Sequence, residues 1–270
     1  MKRIERVFSS KERKALIAYL TVGYPSVEAT LEAVPRLVEA GCDIVELGIP
    51  FSDPLADGAT IQHASHGALE QGVTPESCLK AAAQLRKCVD TPLLFMSYYN
   101  PILRYGLERF CARCEEAGVD GLIVPDLPPE EGAALEETTA SRGLALVYLL
   151  APTSTPERIR LVASHSRGFI YIVSLKGVTG ARDELPPGLG EFVRQVRDVA
   201  SQPLCVGFGI ATPEQAGRVA STADGVIIGS RLVEMVASGK GGLRAATSFI
   251  RDVRQALDGV SASADQGCSP

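Results

Sequence analysis

The sequence predicts a single (β/α)8 barrel, and three observations carry that prediction. Eight short apolar runs are spread along the chain, amphipathic stretches of helical length lie between them, and the same junction residues recur where one gives way to the other. The runs cover residues 16–20, 44–47, 93–96, 121–124, 145–149, 169–173, 204–206 and 225–228. Residues 27–40, 76–88 and 189–200 are examples of the helical stretches.

The junctions are regular. A helix-ending Gly followed by Asp leads into a strand at Gly41-Cys42-Asp43 and Gly118-Val119-Asp120, with a related Ala223-Asp224-Gly225; Gly suits the left-handed position that ends a helix. Pro marks two more strand starts, at Pro92 and Pro203. Three helices open on Thr74-Pro75-Glu76, Thr155-Pro156-Glu157 and Thr212-Pro213-Glu214, where Thr caps, Pro fills the first turn and Glu meets the positive end of the dipole. An open doubly wound sheet has fewer strands and a dinucleotide-type first loop, whereas the first run here leads into Thr21-Val22-Gly23-Tyr24-Pro25. The barrel is expected over residues 1–258, and the Ser-, Ala- and Gly-rich tail over 259–270 is expected to be disordered.

Composition narrows the function classes. The 270 residues are 46% hydrophobic and 22% charged, with a net charge of −5 and no long basic run, so nucleic acid is not the expected partner. The N-terminus lacks a signal-type apolar run and no stretch approaches membrane-spanning length, which points to a cytoplasmic protein with no membrane role. Seven scattered cysteines fit reduced thiols, and Cys111-Ala112-Arg113-Cys114 is a lone CxxC that suits a helical pair better than a metal or redox centre.

Barrel active sites gather at the C-terminal ends of the strands. Glu46 sits in the apolar second run, and the loop after it supplies Asp53 and Asp57. A carboxyl among Ile, Val and Leu either pairs with a buried Arg or Lys or takes a raised pKa, and a raised pKa is what a general acid/base near neutrality requires. The connection after the sixth run, residues 174–187, is long for this fold and suits a lid. Gly207-Phe208-Gly209-Ile210 and Gly229-Ser230 end the seventh and eighth runs, where bare N–H groups and a helix start can hold phosphate. His63 and His66 share a helix face, and His165 lies at a helix end; none of the three belongs to an expected metal site.

Glu46-Leu47-Gly48-Ile49-Pro50-Phe51-Ser52-Asp53-Pro54-Leu55-Ala56-Asp57-Gly58 is followed in order by Tyr98-Tyr99-Asn100-Pro101, Val124-Pro125-Asp126-Leu127-Pro128, Gly177-Val178-Thr179-Gly180 and Gly207-Phe208-Gly209-Ile210. On these motifs the chain from about Arg3 to Ala256 resembles the alpha subunit of tryptophan synthase. The resemblance implies retro-aldol cleavage of indole-3-glycerol phosphate to indole and glyceraldehyde 3-phosphate. Glu46 is then the general acid/base, Asp57 the carboxylate facing the indole N–H, and Tyr171 the active-site tyrosine beside Glu46. Gly180, Gly209, Gly229 and Ser230 correspond to the phosphate-binding set, while Tyr19 and Phe208 border the indole.

Asp53 and Thr179 belong, on the same resemblance, to the lid and the partner-facing surface, with residues 176–187 mobile until a phosphate-bearing ligand binds. The implied partner is a pyridoxal-phosphate beta subunit in an alpha2-beta2 tetramer, and no cofactor or metal is expected on this chain itself. Two other readings compete: a Schiff-base aldolase using Lys176, and a weakly active allosteric partner of the beta subunit. The first conflicts with the position of Lys176 at the start of a loop beside Gly177, since such lysines need desolvation. The second conflicts with the presence of both Glu46 and Asp57.

Overall fold

The computed structural model describes residues 2–10, 13–174, 188–207 and 209–265. Its strands are β1 (Ala15–Thr21), β2 (Ile44–Gly48), β3 (Leu93–Met96), β4 (Gly121–Ile123), β5 (Ala145–Val147), β6 (Leu149–Leu150), β7 (Ile170–Val173), β8 (Leu204–Gly207) and β9 (Gly225–Ile228). All pair in parallel in the order β5-β4-β3-β2-β1-β9-β8-β7-β6, with helices between them. This is the expected barrel, with one difference. The apolar run 145–149 is two strands rather than one, and the ring closes through Tyr148 between them.

At Tyr148 the two backbone groups part company: the carbonyl accepts from Tyr171 N on β7 (3.1 Å), while the N–H leaves the ladder. Its backbone N–H donates to Ser166 Oγ (3.1 Å), and its phenol donates to Glu136 Oε1 (2.7 Å). β5 therefore pairs with β4, while β6 pairs with β7 through Leu149 opposite Tyr171.

The junction motifs act as clamps. Asp43 Oδ2 accepts from Leu16 N (2.8 Å), Asp120 Oδ2 from Leu93 N (3.0 Å) and Asp224 Oδ2 from Leu204 N (2.7 Å). Each aspartate returns its own backbone N–H, at 2.8 Å, to the carbonyl of the residue it accepts from. The strand starts on β1, β3 and β8 are thus pinned to the chain entering β2, β4 and β9. Arginines neutralise the buried charge: Arg13 and Arg254 at Asp43, Arg3 and Arg86 at Asp120, and Arg197 at Asp224.

Glycine serves these clamps twice. Gly41 and Gly118 sit at φ +112° and +74°, which end their helices, and a Cβ on either would come within 2.8 Å of Arg254 or 2.7 Å of Arg86. The Thr-Pro-Glu starts also form as expected, with Thr74, Thr155 and Thr212 accepting from Ser77, Arg158 and Gln215 N–H groups.

The last helix, Gly239–Asp265, runs past Gly259, where the sequence suggested a tail; residues 266–270 lie outside the described residues. Among the described residues no helix is long and apolar enough to cross a membrane. Cys42, Cys78, Cys88, Cys111, Cys114 and Cys205 are free thiols, and both members of the CxxC are buried on helix Leu107–Glu116.

Replacing Asp120 by Ala should leave the half-buried Arg86 guanidinium and the Leu93 N–H without their acceptor. The expected cost is about 3 kcal/mol, or a fall in Tm of roughly 6–12 °C for a chain of this size. Thermal unfolding followed by circular dichroism measures it.

Candidate active site

Side chains alternate along β2, so Ile44, Glu46 and Gly48 share one face. Glu46 is fully buried, opposite Tyr19 on β1 and Leu94 on β3. Among the described residues neither of its carboxyl oxygens has a hydrogen-bond partner. Among the described residues no Arg or Lys pairs with it, so the ion-pair alternative finds no partner there. Burial alone pushes its pKa up to about 8, because an ionised carboxylate with no partner in an apolar wall loses its hydration and gains nothing for it.

Asp57 is set by a neighbouring loop. The phenol of Tyr98, just after β3, accepts from Ala56 N (2.9 Å) and donates to Asp57 Oδ2 (3.1 Å). Its ring packs on Phe51 at 5.2 Å, so the segment after β2 is gripped at both ends. The Asp57 backbone is tied further by Asp57 N to Pro54 O (3.1 Å) and by Gln62 Nε2 to Asp57 O (2.9 Å). Burial raises the Asp57 pKa to about 6, with the Tyr98 hydrogen bond opposing the rise. Near neutrality Glu46 therefore carries a proton and Asp57 a charge, two carboxyls driven apart by their surroundings.

Two tyrosines face this pair in matching poses. Tyr171 on β7 leans over Gly207 of β8, where a Cβ would fall 2.4 Å from its hydroxyl oxygen. Tyr19 on β1 leans over Gly48 of β2, where the same distance is 2.1 Å. Burial, then the charges of the two carboxyls, raises the pKa of both phenols, so both remain protonated donors.

At the far side of the mouth Gly209 has φ +77° with open space where a Cβ would point. Gly229 precedes the helix Ser230–Ala237, which has no side-chain cap, so its first N–H groups face outward from the strand end. Asp53 is exposed and bonded to Ser52. Phe208, Thr179, Gly180, Lys176 and the segment 176–187 lie outside the described residues.

Two features were not anticipated from sequence. Tyr98 was noticed only as part of a motif, yet it holds Asp57; Asp126, in another motif, accepts from Tyr99 N (2.9 Å) and fixes the helix that starts there. His63 packs edge-on against Tyr24, His66 meets Glu70 on an exposed face, and His165 contacts Glu136. Among the described residues no group of three or more His, Cys, Asp or Glu could hold a metal ion.

A carboxyl whose folded pKa lies near 8 against 4.5 in a free chain binds more protons folded than unfolded across that interval. Glu46 therefore withdraws stability as pH rises from about 4.5 to about 8. Glu46→Gln should melt higher than wild type at pH 8, and the advantage should shrink to nothing toward pH 4.5; calorimetry across that range checks the sign.

The profile of the family described as "Tryptophan synthase alpha chain" matches residues 6–259. The tryptophan synthase alpha chain of Dehalococcoides mccartyi is 57% identical over 258 residues, spanning 96% of this chain and all of that one. The corresponding chain of Chloroflexus aggregans is 50% identical over 266 residues, again 96% of this chain and all of the other. Among solved structures, tryptophan synthase subunit alpha from Legionella pneumophila superposes with a TM-score of 0.87 at 37% identity, covering 96% of this chain and 99% of that one. Tryptophan synthase from Mycobacterium tuberculosis gives 0.88 at 39% identity, covering 95% and 98%. With its barrel, its buried Glu46 and its Asp57 loop, this chain belongs to the tryptophan synthase alpha chain family, and is a lyase that carries out the alpha reaction of tryptophan biosynthesis.

Proposed function

We propose that the reaction is retro-aldol cleavage of indole-3-glycerol phosphate to indole and glyceraldehyde 3-phosphate, with Glu46 as general acid/base and Asp57 as the charge that stabilises the protonated ring. The observation that carries this reading is the Glu46 carboxyl, buried in the mouth with no partner and a pKa near 8. A protonated Glu46 gives its proton to indole C3. The ring becomes a cationic indolenine whose N–H faces ionised Asp57. Glu46, now a carboxylate in an apolar wall, is a strong base and takes the proton of the neighbouring glycerol hydroxyl. The carbon–carbon bond breaks, its electron pair returns to the ring, and the alcohol carbon becomes the aldehyde. Glu46 ends as it began.

Tyr171 lies beside Glu46 and keeps the carboxyl on its side of the mouth. Backbone N–H groups at Gly209 and Gly229, the Ser230 hydroxyl, and Gly180 hold the phosphate. Tyr19 and Phe208 border the indole. Residues 176–187, including Thr179, close over the bound substrate.

The family pairs with a beta subunit. For this chain the partner is a pyridoxal-phosphate enzyme that consumes the indole, in an alpha2-beta2 tetramer in the cytoplasm. Support comes from the loop after β2, where Leu55 is 92% exposed beside exposed Asp53, and from Leu103 on the helix after β3, 47% exposed. Apolar side chains held so far into solvent suit a docking surface.

Glu46→Gln should lower kcat for indole release at least about 10²-fold, as loss of a general acid/base does; unchanged turnover would remove Glu46 from the chemistry. Wild-type kcat/KM should be bell-shaped, with limbs near pH 6 for Asp57 and pH 8 for Glu46. Tyr98→Phe removes the donor that holds the Asp57 pKa down, so the acid limb should move up by roughly one unit while the alkaline limb stays.

A further inference from the structure

Tyr19 spans the interval between the two ends of the site. At its base, a Cβ on Gly229 would stand 3.6 Å from Tyr19 Cβ, so the ring rises beside the turn that opens helix Ser230–Ala237. At its tip, the hydroxyl lies over Gly48, the next position on the Glu46 face of β2. The close approach exists only because residue 48 has no side chain.

Among the described residues the only hydrogen-bond partner of this hydroxyl is Thr21 Oγ1, at 3.3 Å. Tyr19 is 8% exposed and Thr21 1%. Two buried hydroxyls that share one hydrogen bond leave one O–H without an acceptor, an arrangement that folded proteins seldom keep without a use. Packing alone would be served as well by Phe, which fills the same volume with no donor to satisfy.

We propose that the Tyr19 hydroxyl, backed by Thr21, donates a hydrogen bond to a hydroxyl of the substrate's glycerol chain, and so selects a hydroxylated chain and holds it for proton transfer to Glu46. The proposal rests on the cleavage reaction above. With phosphate at the Gly229 turn and indole beside Asp57, the glycerol carbons lie along the Tyr19 ring, whose edge toward Asp57 borders the indole. The hydroxyl meets them at its tip, next to the carboxyl that must take their proton. Thr21 accepts from the phenol in the empty site and turns its own donor to the phenol oxygen once Tyr19 points at substrate.

The test compares indole-3-glycerol phosphate with indole-3-propanol phosphate, which keeps the indole and phosphate and lacks the chain hydroxyls. In Tyr19→Phe, kcat/KM for the glycerol substrate should fall about 3- to 10-fold, the range for one lost neutral hydrogen bond, while Kd for the propanol phosphate stays within about twofold. Thr21→Val should shift the two ligands in the same unequal way. Equal losses for both ligands would make Tyr19 a packing residue, and an unchanged kcat/KM would remove the hydroxyl from substrate recognition; either overturns the proposal. Wild-type turnover separates the two ideas, because wild type that fails to release indole contradicts the cleavage reaction itself.

Discussion

Three aspartates at the base of the barrel hold the register on which everything above them depends. Each sits where a helix hands over to a strand, accepts an N–H at the start of the neighbouring strand and donates back to the same residue. In a parallel sheet a slip of one residue turns every side chain to the other face. Pinning Asp43 to Leu16 fixes β2 against β1, and so decides that Glu46 faces Tyr19 within the ring rather than a helix outside it. The ion pairs at this end are consequently structural, whereas the carboxyls at the opposite end have no cation beside them among the described residues. That division between a stable base and a reactive rim is the general plan of such barrels.

The rim works by withholding partners. Glu46 has no hydrogen-bond donor among the described residues, and Asp57 has a single phenol. The first is therefore held protonated near neutrality and the second ionised, although both are carboxylic acids, one on β2 and the other in the loop that follows it. Glycine supports this by its absence of bulk: Gly48 and Gly207 let the two tyrosines lie over the strand ends, which closes the mouth around the carboxyls with rings rather than water. Exposed Leu55, on the loop that carries Asp57, and Leu103, on the helix that follows Tyr98, continue the rim outward, so a subunit docking there would press on the segment that sets the Asp57 charge.

Much of this was legible in the sequence because it is local. Strand runs, Thr-Pro-Glu helix starts and helix-ending glycines each declare themselves within a few residues, and Glu46 stood out as a charge in an apolar run. What was not legible depends on partners distant in the chain. The aspartates at positions 43, 120 and 224 read only as punctuation, since Leu16, Leu93 and Leu204 lie far from them in sequence. The apolar run 145–149 gives no sign of its break at Tyr148, whose N–H goes to Ser166 Oγ while its carbonyl still accepts from Tyr171 N on β7. The continuation of the last helix past Gly259 was hidden by a composition that resembles a tail. Tyr98 looked like one aromatic in a motif until its hydroxyl was seen between Ala56 and Asp57.

Glu46 keeps its proton at neutral pH because the described residues of the barrel offer it no partner. Carbon-13 NMR of selectively labelled glutamate carboxyls, with Glu46→Gln used to assign the resonance, follows that proton directly. A titration midpoint near 8 is expected in the unliganded protein. A midpoint near 4.5, the ordinary value for a glutamate, would contradict it.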